Sequence, residues 1–547
     1  MVDSLKPEVI LVNYSHQITK MKWLQIFLAV IARQSVYTYN YLVVSPLFGH
    51  SHSHFLGTIA DTLTEAGHNV TVLMPIMDPD MENQTGLKLT THVLKVPADN
   101  RTAAMFLQKA RSTAKLWDLD PSAYGMIELA ILVAKSFTWQ CEKVLNDENI
   151  MNTLHRLHFD VGIAEPFDIC GFGLFEVLGV KSTIAATSCV QADHVSKAIG
   201  LPVAPSYVPG SMSTKSDVMN VVERLRNVVE TFLGRQFFYT LFEMEITMFR
   251  VKYGQDFKGY EELLAQVSYV FTNSNPYLDY PHPTIHKVVD IGGIAVSFDA
   301  RRNVLPQHID EILKIRRTNV IISFGSVVKA CYMPEHYKSS LLKVFESMPN
   351  TTFIWKYEIE DSRIAAHLPN VHLLAWLPQN ALLADPRISA FVTHGGLGST
   401  TEIAYMGKPA VMVPLFGDQI RNANMLAKHG SAIVLEKYDI ANHTKVTEAI
   451  ERVVNDQSYN KNAKILAEIL LNQPISAKEL MLKHAEFSAR FGRLPNLDPY
   501  GRHLSIVQYY LIDAISLVVV IVFIVSYILY RVSRIFWRLW AQKQKID

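Results

Sequence analysis

The sequence predicts an α/β protein with two doubly wound, Rossmann-like domains facing a cleft and a C-terminal transmembrane helix. Three observations carry this. Two stretches alternate strand-like and helix-like patterns, a less regular segment separates them, and a long apolar run lies near the end of the chain. At 547 residues, 49% hydrophobic and 19% charged, the chain suffices for two or three compact domains. A net charge of +1 gives no long-range attraction to nucleic acid, so no nucleic-acid partner is expected. The four cysteines, Cys141, Cys170, Cys189 and Cys331, have neither metal-site spacing nor disulfide-scaffold density. They allow one bridge whose pairing stays open.

The first series starts with a strand at Tyr41–Ser45 (YLVVS). A helix follows at Phe55–Ala66, read from its apolar spacing and stopped by Gly67, and then a strand at Asn69–Met74. Strand, helix and strand imply a parallel βαβ unit. Further strand-like runs come at Phe159–Ala164, Thr183–Ala186 and Tyr269–Thr272, and residues 33–285 form the N-terminal α/β domain. Residues 286–317 read as a linker. The second domain, 318–500, opens at Asn319–Phe324 (NVIISF) and continues through Thr352–Trp355, Val371–Leu374, Ala390–Thr393, Ala410–Pro414 and Ala432–Leu435. Ser476–Phe491 reads as a helix leading toward the membrane. Ligands of such sheets bind at the carboxyl ends of the strands.

Leu511–Tyr530 (LIDAISLVVVIVFIVSYILY) carries Asp513 as its one charge and is long enough for a bilayer core of roughly 30 Å. Tyr509, Tyr510, Trp537 and Trp540 flank it as interfacial anchors, and the transmembrane helix is placed at 506–530. The tail 531–547 carries Arg531, Arg534, Arg538, Lys543 and Lys545, which by the positive-inside rule make it cytosolic. The body then lies across the membrane and needs an export signal. Residues 1–32 supply an upstream extension and a signal peptide: Met21-Lys22-Trp23, then LQIFLAVIA, with Val30 and Ala32 before a cleavage site. Sequons at Asn69, Asn83, Asn100, Asn350 and Asn442 fit lumenal exposure. The terminal KQKID resembles the retrieval signal of resident endoplasmic reticulum membrane proteins, so a single-pass protein of that membrane is expected.

Residues 376–419 read WLPQNALLADPRISAFVTHGGLGSTTEIAYMGKPAVMVPLFGDQ. In the middle, a strand ends in the turn His394-Gly395-Gly396 and Ser399 opens a helix. Glycines allow close backbone approach, and unpaired N–H groups at a helix start favour an anion such as phosphate. A local alternative makes Ser399-x-x-Glu402 a capping box and His394 a turn filler. The whole segment, however, resembles the nucleotide-sugar signature of the UDP-glycosyltransferase family, in its membrane-bound UDP-glucuronosyltransferase branch. HGG, the glutamate and PLFGDQ stand at the family's offsets. The resemblance extends to Asn319–Ser326 (NVIISFGS), to GHSH with GTIADTLTEAGHNVTVL, and to the C-terminal anchor; it is looser over residues 76–270.

The resemblance implies a fold of the GT-B type, with the acceptor on the N-terminal domain and the UDP-sugar, a co-substrate rather than a cofactor, on the C-terminal one. Trp376 would stack on uracil and Gln379 would contact base or ribose. Ser326, His394 and Ser399 would bind the diphosphate with backbone N–H groups of Gly396 and Gly398. Glu402 would accept hydrogen bonds from ribose hydroxyls, and Asp418 and Gln419 from sugar hydroxyls. Many relatives have Asn at the position of Gly398. The implied reaction transfers a sugar, glucuronic acid in this branch, to a hydroxyl of a small lipophilic acceptor with anomeric inversion. Homo-oligomers remain open.

The stretch Gly49–Phe55 (GHSHSHF) holds three histidines that could form a metal site, supply one base, or do neither. The family places its general base just after the first strand, and counting back from Gly67-His68 the match is His52, with His54 second. A base of near-neutral pKa suits removal of the acceptor's proton. The family's partner carboxylate is an aspartate; here Glu165 stands in its place, with Asp168 as the alternative. Metal binding would need a strand running through all three histidines, whereas the helical pattern starts near Phe55. No metal is expected, and His50 and His54 read as turn and packing residues. Competing readings are a UDP-glucosyltransferase, a non-catalytic membrane-anchored accessory protein and a metal hydrolase. A carboxylated sugar should want a cation near Asp418-Gln419, and Arg421 is nearby. MFLQKARSTAKLW and MIELAILVAKSFTWQC read as core helices, with an apolar acceptor pocket as the alternative.

Overall fold

The computed structural model describes residues 38–107, 116–119, 127–299 and 303–544. The signal-peptide segment 1–32 and Lys545 of the terminal motif lie outside them. Two parallel sheets form the frame. The first contains β1 (Asn40–Val44), β2 (Asn69–Pro75), β3 (Val93–Val96), β4 (Val161–Ala164), β5 (Ser182–Thr187), β6 (Tyr269–Thr272) and β7 (Val288–Asp290), in the order β3-β2-β1-β4-β5-β6-β7. The second contains β8 (Thr318–Ser323), β9 (Thr351–Lys356), β10 (Val371–Leu374), β11 (Ile388–Thr393), β12 (Ala410–Met412) and β13 (Ala432–Val434), in the order β10-β9-β8-β11-β12-β13.

Burial on both faces explains why these strands read as unbroken apolar runs. In β1, Leu42 and Val44 pack in one core cluster with the helices Ile127–Asn146 and Val221–Tyr253. Tyr41 and Val43 point the other way, onto Phe55, Leu56 and Ile59 of the helix His50–Glu65. Neighbouring strands end level or within two residues of one another: Val44 pairs with Ala164 and Ala164 with Ala185, two short of the end of β5, while Ser323 pairs with Thr393 and Thr393 with Met412. The loops leaving them therefore emerge side by side.

Three features depart from the linear reading. The segment taken as a linker holds β7, which extends the first sheet beside β6. The helix Ala477–Phe491 turns back onto the first sheet instead of running to the membrane. Ser476 caps its N-terminus by accepting from Glu479 N at 3.2 Å. Ala477, Met481 and Ala485 then form a stripe at i, i+4 and i+8 in the core shared by β1, β4, β6 and the helix His50–Glu65. Finally, Trp117 is fully buried in the second domain's core, with its ring 5.2 Å from Phe324 and its Nε1 donating to Lys329 O at 3.1 Å.

The open disulfide pairing resolves as Cys141–Cys170, joining the helix Ile127–Asn146 to the helix Cys170–Val177; Cys189 and Cys331 are free. The 32-residue helix Ile512–Lys543 is exposed along its apolar length. At about 1.5 Å per residue it is longer than a bilayer core. Because Met481 is fully buried in the core of the first domain, Met481→Ala should cost about 2–5 kcal/mol and lower Tm. An unchanged melt of the detergent-extracted full chain would mean the helix does not pack there.

Candidate active site

In the first sheet the strand order reverses between β1 and β4, and in the second between β8 and β11. Crevices at such switch points are where doubly wound sheets hold ligands. Every candidate residue below follows the carboxyl end of a strand.

On the first domain, the helix after β1 starts at His50, five residues earlier than the apolar pattern implies. Helical phase then separates the three histidines. His50 and His54, four apart, share a face with rings stacked at 5.7 Å, whereas His52 turns to Glu165, its Nδ1 lying 2.7 Å from Glu165 Oε2. Among the described residues, no three metal-ligating side chains converge. Glu165 follows β4 as expected, and its other oxygen accepts from Ser188 N at 2.8 Å and Ser188 Oγ at 2.6 Å. Ser188 follows β5 and had no motif to mark it; its place at the end of a buried strand was the available signal.

Burial opposes charge on His52, but the charge and hydrogen bond of Glu165 outweigh it and hold the imidazole pKa above its ordinary value. Burial would likewise raise the Glu165 carboxyl. His52 and both Ser188 groups more than offset this and hold it low. With Nδ1–H donated to the carboxylate, Nε2 is the basic atom. Burial pushes His54 down to about 4, helped by His50, and burial with the Lys356 charge also lowers His50. Asp168, the alternative partner, accepts from Cys170 N at 2.9 Å and is pushed up to about 7 by burial. An aromatic wall adjoins His52: Phe48 at 4.4 Å and Phe167 at 5.3 Å between ring centroids, with Phe137 and Phe238 beyond. Phe137 lies in the MIELAILVAKSFTWQC segment, so that helix serves both core and cleft.

On the second domain, β8 leads to Gly325 and the half-buried Ser326. Gly325 has φ +89°, and a β-carbon there would lie 2.6 Å from His394 Nε2, so the close approach requires glycine. Lys356, at the end of β9, donates to Gly325 O at 2.6 Å and lies over the Trp376 indole at 4.9 Å. Trp376, after β10, is 55% exposed and meets His50 edge-on at 5.3 Å across the cleft. His394 and Gly395-Gly396 follow β11. Burial and the Lys356 charge push His394 down to about 4, so it is neutral at pH 7.

The helix Leu397–Met406 has Gly396 at its N-cap with no side-chain cap, which removes the capping-box alternative. Instead Gln379 Nε2 donates to Ser399 Oγ at 3.0 Å and to Glu402 Oε2 at 2.5 Å. Burial pushes the Glu402 carboxyl up to about 7 against this hydrogen bond. A β-carbon at Gly398 would meet nothing within 4 Å, so glycine is not sterically required there. Asp418 is raised by burial, accepts from Asn422 Nδ2 at 2.8 Å and is close enough to His52 for each charge to act on the other. Gln419, expected to face the sugar, is 5% exposed. Its Oε1 accepts from Leu415 N at 2.9 Å and Phe416 N at 3.1 Å, clamping its own loop. Arg421 turns away: its guanidinium binds Asp279 at 2.7 Å and covers the Tyr280 ring.

The family model described as UDP-glucoronosyl and UDP-glucosyl transferase matches residues 41–546. The putative UDP-glucuronosyltransferase ugt-47 of Caenorhabditis briggsae is 28% identical over 92% of this chain and 94% of that one. UDP-glucuronosyltransferase 1A10 of Homo sapiens is 27% identical over 90% of each. Among solved structures, a UDP-glucosyltransferase from Polygonum tinctorium aligns with TM-score 0.56 at 15% identity, over 83% of this chain and 99% of that one. Phytolacca americana UGT2, with UDP-2fluoro-glucose and pterostilbene, gives 0.54 at 15% identity over 83% and 100%. The folds agree as GT-B. With its two sheets meeting at their switch points and the family pattern running along nearly its whole length, this chain belongs to the UDP-glucuronosyl and UDP-glucosyl transferase family.

Proposed function

We propose that this glycosyltransferase moves glucuronic acid from its UDP-sugar to a hydroxyl of a small lipophilic acceptor, inverting the anomeric carbon. The 2.7 Å contact between His52 and Glu165 carries the reading. His52 Nε2 takes the acceptor's proton as its oxygen attacks, and Glu165 stabilises the imidazolium. UDP leaves on the opposite face toward the helix start after Gly396, where unpaired N–H groups and the helix dipole favour negative charge. Trp376 offers its exposed face to uracil, and Glu402 accepts from ribose hydroxyls. Asp418 accepts from the sugar, while the Gln419 amide donates to it. The aromatic wall at Phe48 and Phe167 suits an apolar acceptor. The names of worm and mammalian relatives support glucuronic acid.

One observation favours the second reading, glucose: the Arg421 guanidinium that a sugar carboxylate would want is bound to Asp279. Donor profiling with microsomes, a panel of UDP-sugars and a simple phenol decides between them. Faster turnover with UDP-glucose would replace the first reading, and no UDP release with any donor would leave an accessory protein. In topology, Ile512–Lys543 spans the endoplasmic reticulum membrane once with the catalytic body lumenal. The asparagines of the sequons at Asn69, Asn83, Asn100, Asn350 and Asn442 are exposed, as lumenal glycosylation needs.

His52→Ala should cut transfer by about 10²–10⁴-fold while UDP affinity stays within a few-fold, because the base acts on the acceptor. His50→Ala and His54→Ala should cost far less. Comparable losses from all three in transfer assays would instead favour a shared role.

The pH profile gives a separate check. His52 must be neutral to accept a proton, so kcat/KM rises with pH through its raised pKa. Glu165→Gln removes the charge that raises it and leaves burial, which lowers it. The acid limb should therefore move to lower pH while the plateau rate falls. An unmoved limb would assign it to another group.

For the donor, loss of a stacked base costs about 1–3 kcal/mol. Trp376→Ala should then raise the UDP-sugar KM by about 5–150-fold with Tm unchanged, since the side chain is half exposed. Wild-type donor kinetics would show that uracil does not stack there.

A further inference from the structure

The helix Val221–Tyr253 is amphipathic in the wrong sense for a soluble protein over its first three turns. Val221, Val222, Leu225, Val228, Val229 and Phe232 are exposed, Val222 by 73% and Phe232 by 56%, and Val218 just before the helix is barer still. At about 100° per residue these six share an arc of about 120°. The opposite face, turned into the protein, is polar: Asn227, Glu230 and Thr231 are buried. That burial is built. Asn227 Nδ2 donates to Pro205 O at 2.7 Å and Val208 O at 2.9 Å, and its Oδ1 accepts from Gly210 N at 3.1 Å. Glu230 accepts from Thr214 N at 3.0 Å, Thr214 Oγ1 at 2.9 Å and Arg226 Nε at 2.8 Å. The helix cannot roll to hide its valines without breaking these bonds. A contiguous apolar patch fixed outward marks a contact surface.

We propose that this stripe, Val218 to Phe232, is a second membrane contact that rests in the interfacial layer of a lipid bilayer. The inference rests on reading Ile512–Lys543 as the membrane span. The chain's own path argues for lipid as the occupant. Before the span, the tail docks on the first domain: Asp498 pairs with Lys287, Arg502 Nη1 donates to Ala265 O at 3.4 Å, and a β-carbon at Gly200 would lie 2.8 Å from Pro499 Cγ. From His503 to Ile512 is nine residues, at most about 32 Å of chain, so the bilayer surface lies within that reach. From Gly200 to Pro205, whose carbonyl Asn227 holds, is at most about 18 Å. The stripe and the start of the span thus share one flank. An apolar helix face with Arg226 at its rim is the pattern of a helix lying in the interface.

The test uses the full chain reconstituted in phosphatidylcholine vesicles with its body outward and a protease site inserted between Leu504 and Ser505. Before cleavage, wild type and the double variant Val222→Glu, Leu225→Glu should float equally with the vesicles. After cleavage the wild-type body should still float, and at least tenfold less of the variant body should, with UDP binding equal in both as a check on folding. Full release of the wild-type body on cleavage overturns the stripe alone, as does a stripe-dependent dimer of the released body, which would make it a surface for a second copy. Failure of the uncleaved chain to float would count against the span and overturn this inference with it.

Discussion

The site depends on keeping one carboxylate ionised inside the protein. Glu165 is 5% exposed, and a buried charge is costly unless it is paired and hydrogen-bonded. Its partners are the His52 ring, the Ser188 N–H and the Ser188 hydroxyl. These residues follow β4, β1 and β5, strands that are adjacent in the sheet although 113 residues separate His52 from Glu165. Correct strand order is therefore a condition for the dyad. The same contacts set its chemistry: the carboxylate raises the imidazole pKa, and the imidazole lowers that of the carboxylate.

A second constraint places the two halves of the cleft. Arg421 and Asp279 form a bridge between the domains with both side chains under 5% exposed. Removing one member of a buried pair costs about 3–5 kcal/mol, because the other is left charged and unpaired. Nearby, Asn275 Nδ2 donates to Tyr405 Oη at 3.0 Å, and Tyr405 Oη donates to Gly292 O at 3.0 Å. Trp117 and the helix Ala477–Phe491 each carry chain from one half into the core of the other. Together these hold Asp418 close enough to His52 for their charges to interact. Arg421, near Asp418 and Gln419 in the sequence, thus has a structural task of its own.

How much was legible follows from how local each signal is. The strand runs, the first βαβ unit and the apolar C-terminal helix rest on composition and spacing within short windows, and the structure contains them. The donor-side candidates lie mostly within residues 376–419, so their order along the chain nearly matches their order along the strand ends. The first-domain half is scattered over residues 48–188. There Ser188 and the Phe48 and Phe167 wall carried no motif, and β7 was hidden in a segment too short and mixed to show periodicity.

The sequence by itself determined the family, the doubly wound class and the nucleotide-sugar signature, because contiguous residues encode them. It also narrowed the base to three histidines and its partner to two acids. The resemblance ranked His52 and Glu165 first; the tertiary structure supplies the geometry that brings these two together. The helix starts at His50, so phase turns His52 toward Glu165 and leaves His50 stacked on His54. Asp168 is held by the backbone of the next helix. The tertiary structure also decided the disulfide partner, the inward turn of Arg421 and the outward face of the helix Val221–Tyr253. Each depends on which surfaces meet in space, and a linear pattern gives a side chain's phase along its own element but not what that element packs against.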